Sequence, residues 1–227
     1  TDKTDAAEIR SRLKQFAERA WRRPVKDAEI EPFTSFIAAE QEAGEPFKAA
    51  YRSALASVLV SRSFFNIEEG SPNEKRNKVN DFELASRLSF FLWSSMPDEP
   101  LFATARSGEL HKPDTLAQHV DRMFADPKIN RFLETFPAQW LQLHRVGMFQ
   151  PDPKLYPDYD PWLEESMVEE TTSYFAELFR GDLPLREVIH SDWTMLNSRL
   201  AIHYGITGVH PRGLTRVKLG PDTGRGG

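Results

Sequence analysis

Apolar residues recur at intervals of three and four along almost the whole chain, a spacing that predicts amphipathic α-helices. No run alternates apolar and polar positions over a useful strand length. The predicted fold class is therefore all-α, in two packed helical modules. The first module, residues 1–67, contains three apolar series, around Leu13, Ile37 and Leu55, and is predicted to be a three-helix bundle.

The chain between and after the modules has a different composition. Residues 68–78 are polar and rich in turn formers, which predicts a linker or an exposed loop. The helical pattern then resumes over residues 79–208, as a second module of six or seven helices. Residues 209–227 are predicted to be a tail that leads to a further domain, so the chain is expected to be a piece of a longer polypeptide.

Helix starts are marked by capping residues, and two prolines disturb the pattern. Asn80 with Glu83 fits a capping box, and Asp160 directly before a proline is a strong start signal. Pro32 and Pro137 fall inside helical patterns, where proline removes a hydrogen bond and clashes with the preceding turn. We expect the first helix to start late or bend, and the second to kink or break.

The segment SDWTMLNSRLAIHYGI, residues 191–206, is predicted to be one helix. Asp192 or Thr194 can cap its start, and Gly205 can end it in a left-handed conformation. This phase places His203 on the packed side of the last turn. His203 is then a core histidine bonded to a carbonyl, an axial ligand of a haem or a metal ligand, or part of a partner interface.

Two charged residues intrude into apolar stripes. Glu170 follows Leu163 and Met167 at helical spacing, and Arg87 follows Leu84 in the same way on an earlier helix. A buried unpaired charge is costly, so each needs a partner. We hypothesise that Arg87 and Glu170 form a bidentate pair. The alternative is that each side chain extends to solvent from the border of its stripe.

Residues 144–159 contain three prolines and no regular period, and long loops of this kind are often functional. Aromatic residues in or near the loop either pin it to its own domain or stack on a saccharide or a protein. Met148 could serve as a soft axial ligand for a haem supplied from outside. The aromatic residues are Trp140, Phe149, Tyr156, Tyr159, Trp162 and Trp193.

Composition argues against several classes of function. With 29 basic and 34 acidic residues the net charge is -5, so nucleic acid is not an expected partner. The absence of cysteine rules out disulfides and covalent haem attachment within these residues. No apolar run reaches the roughly 20 residues that a membrane span needs. Glu187 and His190 form a single Glu-x-x-His motif, whereas a di-iron site needs two, so no metal is expected.

Seven segments of the chain together resemble a known pair of modules. FAERAWRRPVKDAEIEPF and FKAAYRSALASVLVSRSFF resemble one helical domain of unknown function. FELASRLSFFLWSSMPDEPLFATARSGEL, VDRMFADPK, QWLQL, EETTSYFAELF and DWTMLNSRLAIHYGI resemble the domain that follows it. Both are similar to planctomycete-type domains found in large exported proteins, and the final RGG resembles the start of the next module.

The resemblance implies a context for the chain. Members of this kind also carry cytochrome c-like segments, so a haem c is expected elsewhere in the full-length protein and none within this fragment. The leading hypothesis is a non-catalytic scaffold or interaction domain of an exported, cytochrome-linked protein, serving electron transfer, with other domains of the same polypeptide as partners. The alternatives are an enzyme domain with a pocket between the His203 helix and the 144–159 loop, and carbohydrate binding through the loop aromatics.

Overall fold

A computed structural model describes residues 5–67, 69–70, 75–220 and 223–224. Within these residues the protein is predominantly α-helical, as predicted, with one small two-stranded sheet. Residues 68 and 71–74 of the predicted linker lie outside the described residues, as does the final RGG. The helices are α1 (Ala6–Trp21), α2 (Asp27–Glu42), α3 (Phe47–Leu59), α4 (Arg62–Phe65), α5 (Asp81–Trp93), α6 (Glu99–Ser107), α7 (Pro113–Ala125), α8 (Asn130–Trp140), α9 (Pro161–Arg180) and α10 (Ser198–Tyr204).

The chain divides into two compact units, one up to Ala125 and one from Asp126 onward. In the first unit α1, α2 and α3 form the predicted bundle around fully buried residues such as Leu13, Ile30 and Val58. Helix α2 runs through Pro32 from Asp27, so the first alternative, a late start, is wrong, and the bend stays a prediction. The proline lies near the N-terminal end, where it removes one hydrogen bond and leaves the rest of the ladder intact.

Helices α5, α6 and α7 complete the first unit. The predicted capping box is present, since the Glu83 amide donates to Asn80 Oδ1 over 2.9 Å and the Asn80 amide to Glu83 Oε2 over 2.7 Å. Trp93, at the end of α5, is fully buried. Its indole N–H donates to the Met123 carbonyl of α7 over 3.0 Å, which ties the two helices together.

The second unit is built on α9, against which α8 packs. Helix α8 continues through Pro137, so the predicted break is absent; the helix ends at Trp140, within one turn of the proline. Phe136 stacks on Phe132 and on Trp140, with ring centroids 5.1 and 5.9 Å apart, and the row follows the helix axis. Aromatic residues of α8 also contact aromatic residues of α9.

The segment 191–206 is the main departure from the predicted fold. Trp193–Leu196 is a strand, β1, paired antiparallel with β2 (Thr215–Lys218), which lies in the predicted tail. Asn197 then caps α10, accepting the Leu200 amide over 2.9 Å, and Gly205 ends it at φ 69° as predicted. The prediction of one helix is wrong because a spacing of four between Leu196 and Leu200 spans a strand and a helix.

Candidate functional site

Glu170 lies half-buried on α9, inside the packed face where its spacing placed it. Its carboxylate accepts two hydroxyl hydrogen bonds, from Thr194 Oγ1 over 2.8 Å and from Tyr204 Oη over 2.6 Å. The donors come from β1 and α10, so this carboxylate joins both elements to α9. Its hydrogen-bond partners are hydroxyl groups rather than a guanidinium.

Arg87 lies on the exposed side of α5 and forms a bidentate pair with Glu69. The predicted pairing of Arg87 with Glu170 is therefore corrected, because the structure gives each charge partners within its own unit. The physical reason is position: the Arg87 side chain is 58% exposed, at the border of the apolar stripe. Of the two charged groups, Glu170 is the one that needs hydrogen-bond donors inside the protein.

Further polar contacts hold the start of α10 against α9. Asn197 is 1% exposed, and its amide N–H donates to Ser166 Oγ, also fully buried, over 2.8 Å. Arg199 is 8% exposed and donates from Nε to Asp160 Oδ2 over 2.8 Å and from Nη2 to the Asp158 carbonyl. These polar groups satisfy one another, as buried polar groups in native proteins usually do.

His203 is exposed, so the expectation that it lies on the packed side is wrong. With α10 starting at Ser198, Leu200 and Ala201 face the core and Tyr204 is partly buried beside them. His203 falls on the outer face next to Ile202, which is 74% exposed. The residue of this turn that joins the polar network is thus Tyr204.

The 144–159 loop is fixed to α9 at both ends. Tyr159 Oη donates to Glu164 Oε2 over 2.9 Å, and the burial of the phenol, together with this bond, raises the Tyr159 pKa above its ordinary value. Gly147 has φ 81° and lies so close to the Glu164 carboxylate that an added Cβ would be 2.0 Å from Oε1. Together with the bond from Arg199 to Asp158, these contacts hold the loop in a defined conformation.

Between these anchors the loop exposes four large apolar side chains, which we call the loop patch. Their exposed fractions are 62% for Met148, 85% for Phe149, 74% for Leu155 and 61% for Tyr156. Of the aromatic residues predicted to pin the loop, Tyr159 does so through its hydroxyl group. Phe149 and Tyr156 instead point into solvent.

Trp193 belongs to a separate cluster inside the second unit. Its ring stacks on Tyr174 with centroids 4.4 Å apart, and the Arg216 guanidinium lies over the ring, 4.0 Å from its centre. The indole N–H donates to Glu187 Oε2 over 2.6 Å, so the carboxylate of the Glu-x-x-His motif serves this packing. Burial raises the Tyr174 pKa above its ordinary value. No group of three or more metal-binding side chains occurs in the described part of the chain.

A polar chain between α6 and α7 was not predicted from the sequence. It runs from Asp98 through Arg122 and His119 to Thr104. Asp98 directly precedes α6, and the spacing of His119 and Arg122 puts both on one face of α7. What the pattern lacked was the pairing of α6 with α7, which depends on tertiary packing.

No helix among the described residues is both long and apolar enough to cross a membrane.

No curated protein and no solved structure matches the chain. Residues 8–69 match the family model PSD5, protein of unknown function (DUF1595), and residues 79–206 match PSD4, protein of unknown function (DUF1592). The predicted resemblance to two consecutive helical domains of unknown function is thus confirmed. The match to PSD4 covers more than half of the residues of the chain, so the chain belongs to the DUF1592 family.

Proposed function

We propose that this chain is a non-catalytic interaction module of a larger exported, cytochrome-linked polypeptide, and that it docks another domain of that polypeptide through the loop patch. The observation that carries the proposal is a loop anchored to α9 while all four side chains of the loop patch stay exposed. Exposed apolar clusters mark interaction sites. Export and the cytochrome link rest on the resemblance alone.

The carboxylates that could act as catalytic groups have structural partners, which supports a non-catalytic role. Glu170 is bonded to two hydroxyl groups, Glu187 to an indole, and Asp160 to a guanidinium and a helix N-terminus. Each of these carboxylates holds structural elements together. The alternative of an enzyme pocket beside the His203 helix is disfavoured because His203 lies on the outer face of α10.

The loop patch has the chemistry of a protein-binding surface. Burying a large apolar side chain contributes about 1.5 to 3 kcal/mol, and aromatic residues are enriched at the centres of interfaces. A preformed loop loses less conformational entropy on binding than a flexible one. The partner surface is therefore expected to be apolar and to cover Phe149 and Tyr156.

Photocrosslinking in the full-length polypeptide tests the proposal. With p-benzoylphenylalanine at position 149, we expect a crosslink to another domain of the same polypeptide, mapped by mass spectrometry. Leu185 is the matched control site, because it is 86% exposed, lies in the same unit and is outside the loop. A crosslinking yield at position 149 no higher than that at position 185 would show the proposal to be wrong.

Carbohydrate binding through the loop aromatics is the second candidate function, and it is tested on the same loop patch. Titration calorimetry with soluble polysaccharides, comparing the natural protein with a Phe149→Ser, Tyr156→Ser variant, separates it from domain docking. Heat of binding that disappears in the variant would replace the docking proposal by saccharide recognition.

The proposal also predicts the role of the two residues considered as axial ligands. His203 and Met148 are both exposed, and no hydrogen bond to the other described residues orients either side chain towards a pocket. In the full-length protein, His203→Ala and Met148→Ala are expected to leave the Soret band unchanged in position and height. Absorption spectra of the two variants check this, and a shifted band would place that residue at the haem.

A further inference from the structure

The polar chain between α6 and α7 joins the two helices through an arginine and a histidine of α7. Asp98 caps α6, accepting the Leu101 amide over 3.2 Å, and also accepts Arg122 Nη1 over 2.6 Å and Nη2 over 3.1 Å. Arg122 Nη2 also contacts His119 Nδ1 at 3.3 Å, and His119 Nε2 lies 2.9 Å from Thr104 Oγ1. The imidazole therefore sits between a cation on its own helix and a hydroxyl group on the next.

The direction of these hydrogen bonds fixes the form of the imidazole. The Thr104 hydroxyl donates to the Pro100 carbonyl over 3.0 Å, so its oxygen is left to accept from His119. Nε2 must then carry the hydrogen, and Nδ1 must present its lone pair to the Arg122 N–H. Of the imidazole forms, the neutral one with hydrogen on Nε2 satisfies both neighbours, Thr104 and Arg122.

The arginine has few other ways to satisfy its donors. Arg122 Nε is a buried donor without a hydrogen-bond partner among the described residues. The guanidinium lies 5.4 Å from the centre of the Trp93 ring, and Trp93 is fully buried. A disturbance of the contact with His119 would therefore reach both the α6 cap and the buried indole.

We propose that His119 is a pH-sensitive switch, whose protonation breaks the contact with Arg122 and weakens the polar contacts between α6 and α7. The added proton occupies Nδ1, so an acceptor becomes a donor and faces the N–H of Arg122. Two positive charges are then 3.3 Å apart in a partly buried site. His119 is suited to this role because an ordinary histidine titrates at about pH 6.5.

The electrostatics give the sign of the effect. Burial, followed by the charge of Arg122, lowers the His119 pKa below its ordinary value, against the opposing effect of Asp98. Arg122 on α7 and Asp98 at the start of α6 are the charged groups that act on it, while α5 contributes the neutral Trp93 beside Arg122. Since the folded pKa is lowered, the stabilisation is present above the ordinary histidine pKa and is lost as the pH falls through the folded value.

Unfolding in urea at a series of pH values, between about pH 7.5 and about pH 5, tests the switch. We expect the urea midpoint to fall with pH in the natural protein, and this fall to be smaller in His119→Gln, since glutamine offers a neutral donor and acceptor. His203→Gln is the matched control, because His203 is exposed and does not belong to the polar chain between α6 and α7. Equal falls in both variants would overturn the proposal.

A direct measurement covers the case in which His119→Gln fails to fold. NMR of the natural protein should show His119 in the neutral form with hydrogen on Nε2 at neutral pH. As the pH falls, the ring resonances of His119 should titrate together with the indole N–H signal of Trp93. Titration of His119 without any change at Trp93 would show that the ring changes charge but moves nothing.

Discussion

Replacing Arg22 with methionine is expected to lower the free energy of unfolding by about 3 kcal/mol. Arg22 is 5% exposed, and its guanidinium donates to four main-chain carbonyls, those of Ala20, Ser63, Phe64 and Asn66, over 2.9 to 3.2 Å. Hydrogen bonds from a charged donor stabilise more than neutral ones, and removing the donor leaves several acceptors unsatisfied.

The position of these carbonyls explains why the effect should be large. Ala20 is in the last turn of α1, and the other three acceptors lie in and directly after α4. A cation there offsets the partial negative charge at the helix ends. Burial of the guanidinium lowers the Arg22 pKa below its ordinary value, so part of this gain is offset by desolvation. The net effect remains a strong link between the first and fourth helices.

The measurement is urea unfolding followed by far-ultraviolet circular dichroism, with Arg23→Met as the control. Arg23 is the next residue and pairs with Glu29 at 2.7 Å, but its side chain is 38% exposed. An exposed pair contributes up to about 1 kcal/mol. Methionine at position 22 keeps a Cβ at the same backbone angle of φ 60°, so backbone strain is the same in both proteins. Equal losses in the two variants would contradict the assignment.

Local signals in the sequence were sufficient for most of the helices. Asn80 and Asp160 cap their helices as predicted, because a cap depends on contacts within four residues. Neither proline breaks its helix, since α2 runs through Pro32 and α8 through Pro137, both close to a helix end. The alternatives of a bend and a kink stay predictions. Composition alone does not show how close to an end a proline will fall.

Non-local structure was the part that the sequence could not predict. The β1 strand has four residues, and its partner follows about twenty residues later, so no local period reveals it. Because the strand was missed, the predicted phase of the following helix was wrong. His203 was therefore assigned to the core instead of the outer face. Burial of a charge predicted that Glu170 needs partners, yet two hydroxyl groups from other elements meet the need as well as a guanidinium.

The candidate site shows the same limit. The sequence identified residues 144–159 as an irregular, aromatic loop, and the structure separates its two tyrosines by environment. Tyr159 is bonded to Glu164, whereas Tyr156 is 61% exposed. The difference comes from α9, which places a carboxylate within reach of one phenol only. Residue type alone could not assign one tyrosine to anchoring and the other to display.

Replacing Gly147 with alanine is expected to lower the free energy of unfolding by about 2 kcal/mol. About half arises from placing a Cβ at φ 81°, and the rest from the contact with Glu164, where the new atom would lie 2.0 Å from Oε1. The carboxylate can swing away, but it then loses the hydrogen bond from Tyr159. Urea unfolding measures the loss.

Gly208→Ala is the control for Gly147→Ala, because Gly208 has φ 83° and no neighbouring atom within 4 Å of an added Cβ. It carries the same backbone strain without the contact, so the difference between the two variants isolates the Glu164 anchor. If the anchor presents the loop patch, Gly147→Ala also lowers the crosslinking yield at position 149, while Gly208→Ala leaves it unchanged. Equal unfolding energies and equal yields would mean that the loop is held by other contacts, and that its exposed aromatic residues do not depend on this fixed conformation.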